Sequence, residues 1–145
     1  MSSKKEVLQP KPKVLDSGKR QEFSTGSRRD IQEGKGLPSL LQLIAIMEVA
    51  KVCEAGAEKY GRENWRKGQP LSRYFDSAIR HMFKFALNWK DEPHLPQAIW
   101  NLMCLIETKS MITMGLLPKE LDDLPNEFFQ NDDMANLMKT MLGYS

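Results

Sequence analysis

Three stretches of apolar residues at helical spacing, parted by glycine- and proline-marked breaks, constrain this chain more than any other feature of its sequence. From Pro38 onward Leu40, Leu41, Ile44, Met47, Val52 and Cys53 recur at intervals of three, four and seven, while Glu48, Lys51 and Glu58 fall on another stripe. That period predicts a helix over about residues 39–59. Gly61 ends it, and GRENWRKGQP (61–70) reads as a turn-rich loop around Trp65. Ser72 is the expected N-cap of a second helix, in which Phe75, Ile79, Met82, Phe83 and Ala86 repeat as far as about Trp89. Lys90-Asp91-Glu92-Pro93 breaks the chain, and Leu95, Ile99, Leu102, Met103 and Ile106 carry a third helix over about 94–113. Pro96 is tolerated there because a first-turn proline forfeits no helical hydrogen bond. Gly115 and Pro118 close this helix; Asp132 or Asp133 then caps a short amphipathic one bearing Met134, Leu137, Met138, Met141 and Leu142. No stretch alternates with period two over a strand's length and no internal repeat is found. The expected fold class is all-α, a helical bundle with a C-terminal amphipathic helix.

At 145 residues the chain is long enough for one domain with one core. Residues 1–22 hold six bases against Glu6, Asp16 and Glu22 with few apolar groups, so they are expected to form a flexible basic tail. The domain proper is expected over 23–117, with 118–145 as an extension. Its first segment, FSTGSRRDIQEGKGL (23–37), has three glycines and mixed charges without a regular period, as suits a loop ordered by a ligand. A net charge of +2 leaves no general electrostatic coat for nucleic acid, so none is expected as a partner. Cys53 and Cys104 lie in apolar runs without metal-type spacing, which favours buried thiols in a reducing compartment. No apolar run approaches the ~20 residues of a membrane span, and the first residues have no apolar signal core. A soluble cytoplasmic protein is expected.

Polar residues on otherwise apolar helices carry the functional signal. Glu48 is either the partner of Lys51 in a surface ion pair or, flanked by Met47 and Val49, a site carboxylate. On the second helix Arg73, Asp76 or Ser77, Arg80 and Lys84 recur with His81 beside them. This is either a solvated face or a carboxylate, a forked phosphate binder and a near-neutral base gathered within five positions. His94, Gln97 and Asn101 make a polar stripe on the third helix, where Asn101 is either a structural hydrogen bond or a ligand contact. Asp91 and Glu92 either offset that helix's dipole or bind a ligand. Together these residues suit phosphoryl chemistry: Glu48, Asp76, Asp91 and Glu92 as oxygen ligands for Mg²⁺ or Mn²⁺, with Glu48, Asp76 and His81 as the catalytic set. Lys59, Arg80, Arg29 and Lys35 would hold phosphates, the last two with backbone N–H groups near Gly34 and Gly36. Walker A, GxGxxG, GxSxG and HExxH motifs are lacking, as is an adjacent His-Asp pair.

The segments FSTGSRRDIQEGKG (23–36), GAEKYGRENWRKGQP (56–70), DSAIRHMFKF (76–85) and DEPHLPQAIWNLMCLIE (91–107) closely resemble the phage dATP/dGTP diphosphohydrolases, relatives of the MazG-like all-α nucleoside triphosphate pyrophosphatases. The resemblance covers about residues 23–110. Its most specific parts are Lys59-Tyr60 with Asn64-Trp65, and Arg80-His81 followed by an acidic turn and His94-Leu95. It implies a MazG-like bundle that hydrolyses a purine deoxynucleoside triphosphate to monophosphate and pyrophosphate with a divalent metal. It also implies that Tyr60, Asn64, Trp65 and His94 touch the substrate, and that dGMP could feed 2-aminoadenine nucleotide synthesis in a phage. The chain departs from the broader group in having neither Glu-Glu-x-x-Glu nor Glu-x-x-Asp on its first three helices; its Glu-x-x-Asp, Glu120 to Asp123, lies in a proline-flanked loop. The apolar stripe of the terminal helix, together with the resemblance, predicts a homo-oligomer, dimer or tetramer. The competing reading is a helical nucleic-acid- or protein-binding module without catalysis.

Overall fold

A computed structural model describes residues 15–16, 18–124 and 132–143, without the side chains of Met134, Ala135 and Met138. The chain divides into two compact units, Met1–Leu41 and Gln42–Ser145.

The first unit is built on an antiparallel hairpin, β1 (Arg20–Glu22) and β2 (Arg28–Asp30), in the register Arg20↔Asp30, Gln21↔Arg29 and Glu22↔Arg28. No strand was expected from the sequence, because three residues a side are too few to display a period of two. The hairpin is held instead by its turn, where the Gly26 N–H donates to the Phe23 carbonyl at 2.8 Å, and by the facing Glu22–Arg28 pair at 2.8 Å. The expected tail of residues 1–22 therefore ends earlier, since Arg20–Glu22 is a strand; residues 1–14 and 17 lie outside the described part. An open cavity of about 890 Å³ borders the hairpin, lined by Phe23, Arg28, Arg29, Ile31 and Lys35 among others.

Among the described residues the second unit has four α-helices: α1 (Leu43–Tyr60), α2 (Leu71–Ala86), α3 (His94–Thr113) and α4 (Asp132–Met141). α3 packs against both α2 and α1, and a short 3-10 turn, Lys119–Leu121, returns onto α3. The all-α class holds. The first helix begins four residues later than expected, because Pro38–Leu40 forms a separate 3-10 turn. The second ends at Ala86, where Asn88 adopts a left-handed conformation. The Asn88 N–H donates to the Phe85 carbonyl and the Trp89 N–H to that of Lys84, which satisfies two acceptors of the helix's last turn. Ser72 does not cap α2 from its own side chain. Asp123, 51 residues further along the chain, does so instead, its carboxylate accepting from the Ser72 N–H at 2.8 Å and from the Ser72 hydroxyl at 2.5 Å.

The helices are rotated from the expectation. Among the described residues the buried ones are Val49 on α1, Leu71, Tyr74 and Ala78 on α2, and His94, Ala98, Asn101, Cys104 and Thr108 on α3. Small and polar side chains thus fill the inner face of α3, allowing close approach of its neighbours. The larger apolar stripes, Phe75, Ile79, Met82 and Phe83 on α2 and Leu95, Ile99, Leu102, Met103 and Ile106 on α3, are each more than a third exposed. On α1, Ile44 is 82% exposed. Leu137 and Met141 on α4 and Leu142 just after it are exposed too, and the Met138 side chain lies outside the described residues. Among the described residues no helix is long and apolar enough to cross a membrane.

Candidate metal centre

The seven-residue connection from α2 to α3 places one titratable group after another at the same end of the helix pair. His81 and Lys84 lie three residues apart on α2, hence on one face. Pro93 sets the entry to α3, so that His94 is its first residue and is almost wholly buried at 3% exposure. Asp91 and Glu92 occupy the turn between them.

The His81 and His94 rings are tilted by 36° with their Nδ1 atoms 3.1 Å apart. The other nitrogen of His94, Nε2, lies 2.9 Å from Oδ1 of Asp91. An ionised carboxylate can only accept, so His94 Nε2 carries the proton and donates it. In a neutral His94 ring Nδ1 is therefore bare and directed at His81. Glu92 completes the group: one ligand atom from each of His81, Glu92 and His94 lies within 4.8 Å of the other two. Lys84 Nζ stands 3.9 Å from Glu92 and 4.0 Å from Asp91, and 5.5 Å from the Trp89 ring. Burial, helped by the charges of His94, Lys84 and Arg80 and opposed by Glu92, pulls His81 below the ordinary imidazole value. The hydrogen bond from His94 holds Asp91 below the usual carboxylate range. Lys59, at the end of α1, is held above the usual lysine value first by its hydrogen bond with Tyr60 and also by the charge of Glu92, which places it within electrostatic reach of the cluster.

Of the residues proposed from the sequence, His81, His94, Asp91 and Glu92 are thus brought together. Glu48 and Asp76 are not in this group: Glu48 pairs with Lys51 one helical turn on, at 2.6 Å, and Asp76 is exposed on α2. Of the four carboxylates expected as ligands, Asp91 and Glu92 thus lie beside the two imidazoles, whereas Glu48 and Asp76 lie outside this group. Arg80 is exposed and donates to the Ser77 hydroxyl at 2.9 Å. Lys59 lies over the Tyr60 ring at 5.0 Å. Asn64 and Trp65 belong to a 3-10 turn, Asn64–Lys67, where the Arg66 guanidinium sits 5.3 Å from the Trp65 ring centre. Asn101 is buried and donates to the Gln97 carbonyl at 2.8 Å, the structural hydrogen bond that was one of its two readings. Arg29 and Lys35 both line the hairpin cavity of the first unit. Sequence reasoning missed Lys84 as a member of the cluster, although its i+3 spacing from His81 was the available signal.

Two imidazole nitrogens and a carboxylate oxygen suit a divalent first-row transition ion, and adjacent lysines suit a polyanionic ligand. No curated protein and no solved structure matches the chain. One family model does, that described as dATP/dGTP diphosphohydrolase, N-terminal, and it spans residues 25–114, which include α1, α2, α3 and every residue of the cluster. The chain belongs to the dATP/dGTP diphosphohydrolase family.

Proposed function

We propose that the chain hydrolyses dGTP or dATP to the monophosphate and pyrophosphate in the cytoplasm, at the α2–α3 end, with a divalent metal. The observation that carries this reading is the convergence of His81, Glu92 and His94, with Lys84 beside them, inside the segment matched by the family. His81, Glu92 and His94 would hold the ion. When bound, such an ion supplies charge neutralisation for the triphosphate and a more acidic water. The chain's own residues do the rest. Lys84 and Lys59 offset negative charge on the phosphates, Asp91 keeps the proton on Nε2 of His94, and the burial of His94 fixes its ring. Water adds to the α-phosphorus, the bond to the bridging oxygen breaks, and pyrophosphate leaves. Arg80, Tyr60, Asn64 and Trp65 are candidates for contacts to base, sugar or phosphate. The dGMP formed is a starting material that synthesis of a 2-aminoadenine nucleotide in a phage could draw on.

The test is a panel of dGTP, dATP, dCTP and dTTP with Mn²⁺ or Mg²⁺, followed by EDTA. Pyrophosphate from the two purine substrates only, abolished by EDTA, is the expected result. No release from any nucleotide would favour the binding-module reading.

We further propose that the protein works as a homo-oligomer through α2 and α3. At roughly 150–250 Å² per large side chain, about half of it exposed, the two stripes present some 800–900 Å² of apolar surface. That exceeds the ~300–600 Å² of a monomer's largest patch and matches the ~800 Å² each partner contributes to a stable interface. A second copy offers the same stripes, as a two-fold pair requires.

A further inference from the structure

We infer that His81, Glu92 and His94 form a two-imidazole, one-carboxylate centre that selects a first-row transition ion such as Mn²⁺ over Mg²⁺, with Asp91 as its positioning residue. The inference rests on the proposed reaction only for the ion's purpose; the centre itself stands on geometry.

Two nitrogens bound to one ion at ~2.1 Å, with ligand–metal–ligand angles between the octahedral and tetrahedral values, lie about 3.0–3.4 Å apart. The two Nδ1 atoms are 3.1 Å apart. A plain imidazole–imidazole hydrogen bond would explain that distance alone, but it has no use for the third donor, Glu92, within 4.8 Å of both. Nor does it account for Asp91. By accepting a hydrogen bond from Nε2–H of the buried His94 at 2.9 Å, Asp91 leaves Nδ1 bare and turned towards His81, the carboxylate–histidine arrangement found behind metal-bound imidazoles. Magnesium prefers an all-oxygen, water-rich shell in near-ideal octahedral geometry, which two protein nitrogens do not supply. Among first-row ions, affinity for such a mixed nitrogen and oxygen set is lowest for manganese and rises through iron and cobalt, and zinc takes imidazole readily.

The experiment uses the full chain stripped of metal by a chelator. Titration with Co²⁺ is read by visible absorption, and binding of Mn²⁺ and Mg²⁺ by calorimetry. Wild type is compared with His81→Ala, Glu92→Gln, Asp91→Asn and the remote surface control Glu54→Gln. His81 is only partly buried and Glu92 is exposed, so these variants are expected to fold, as circular dichroism will check. The expected result is one Co²⁺ or Mn²⁺ per chain, bound at least tenfold more tightly than Mg²⁺. Affinity should fall by about tenfold or more in His81→Ala and Glu92→Gln, and by ~10–100-fold in Asp91→Asn, with no change in Glu54→Gln. Equal affinity in wild type and His81→Ala, or a preference for Mg²⁺, overturns the centre. The two readings fail separately: Mg²⁺-driven dGTP hydrolysis unaffected by His81→Ala sinks the centre and leaves the reaction, whereas tight Co²⁺ binding without turnover of any nucleotide sinks the reaction and leaves the centre.

Discussion

Replacing Ile106 by Glu separates the two possible fates of the α3 apolar stripe, because its effect on the fold and its effect on assembly point in different directions. Ile106 is 67% exposed on the single chain and lies outside the buried set of His94, Ala98, Asn101, Cys104 and Thr108. A polar group there leaves the inner packing alone, so the helix content and intrachain stability should shift by no more than ~0.5 kcal/mol. In a two-fold assembly the same position is buried twice. Covering roughly 100 Å² of its surface is worth about 2 kcal/mol per copy after the ordering costs of association, hence about 4 kcal/mol per pair. That is nearly a thousandfold in the dimer dissociation constant. Analytical ultracentrifugation over a concentration series, with circular dichroism on the same samples, reads both quantities. Wild type should sediment as a dimer or tetramer at low micromolar concentration and Ile106→Glu near the 16.7 kDa chain mass with an unchanged spectrum. A wild-type monomer at that concentration, or an Ile106→Glu protein that assembles as before, would refute the reasoning.

Other consequences follow from single contacts. Gly68 has φ +83°, and an added Cβ would fall 2.8 Å from Leu121 and 3.0 Å from Leu117; Gly68→Ala should therefore destabilise by about 1–3 kcal/mol in chemical denaturation, and a neutral result would place the strain elsewhere. Burial pushes the Cys104 thiol up to about 12, whereas Cys53 is exposed. A thiol reagent should label one cysteine in the native protein, Cys53, and the second only after unfolding; prompt double labelling would contradict the buried α3 face. Asp123 is held below the usual carboxylate value by its two bonds from Ser72. A depressed folded-state value stabilises above the unfolded carboxylate's range, and that contribution is lost as pH falls through the folded one. The difference in thermal midpoint between wild type and Asp123→Asn should accordingly shrink on acidification from pH 7 into the carboxylate range; a pH-independent difference would remove Asp123 as the cap.

The number, order and approximate extent of the helices could be read from spacing alone, since a 3.6-residue period is visible wherever one face is consistently apolar. Which face turns inward could not. The stripe of large residues from Leu95 to Ile106 is the stronger signal on α3, yet the chain packs its small and polar side, from His94 to Thr108, against its neighbours. Periodicity reports that a helix has two kinds of face, and it does not say whether the apolar one meets the same chain or another. Local signals also mislead where a distant residue takes over, as at α2, whose amino end is capped by Asp123 rather than Ser72. The site followed the same pattern. Residues close in sequence, Asp91, Glu92 and His94, were recognisable as a polar turn, and their meeting with His81 follows from the short connection between α2 and α3. The grouping of Glu48 and Asp76 with them assumed a convergence of helices that composition cannot test; in the fold Glu48 is occupied by Lys51.

The most direct test of the central claim is the product balance of dGTP hydrolysis followed by phosphorus NMR in wild type and Glu92→Gln, at matched protein concentration. Spectra are taken after a chelator quench of the Mn²⁺-supported reaction. The account predicts dGMP and pyrophosphate in equal amounts from wild type, and a rate lower by about a hundredfold or more in Glu92→Gln with the fold intact. Release of orthophosphate with dGDP, or a Glu92→Gln enzyme as fast as wild type, would contradict it.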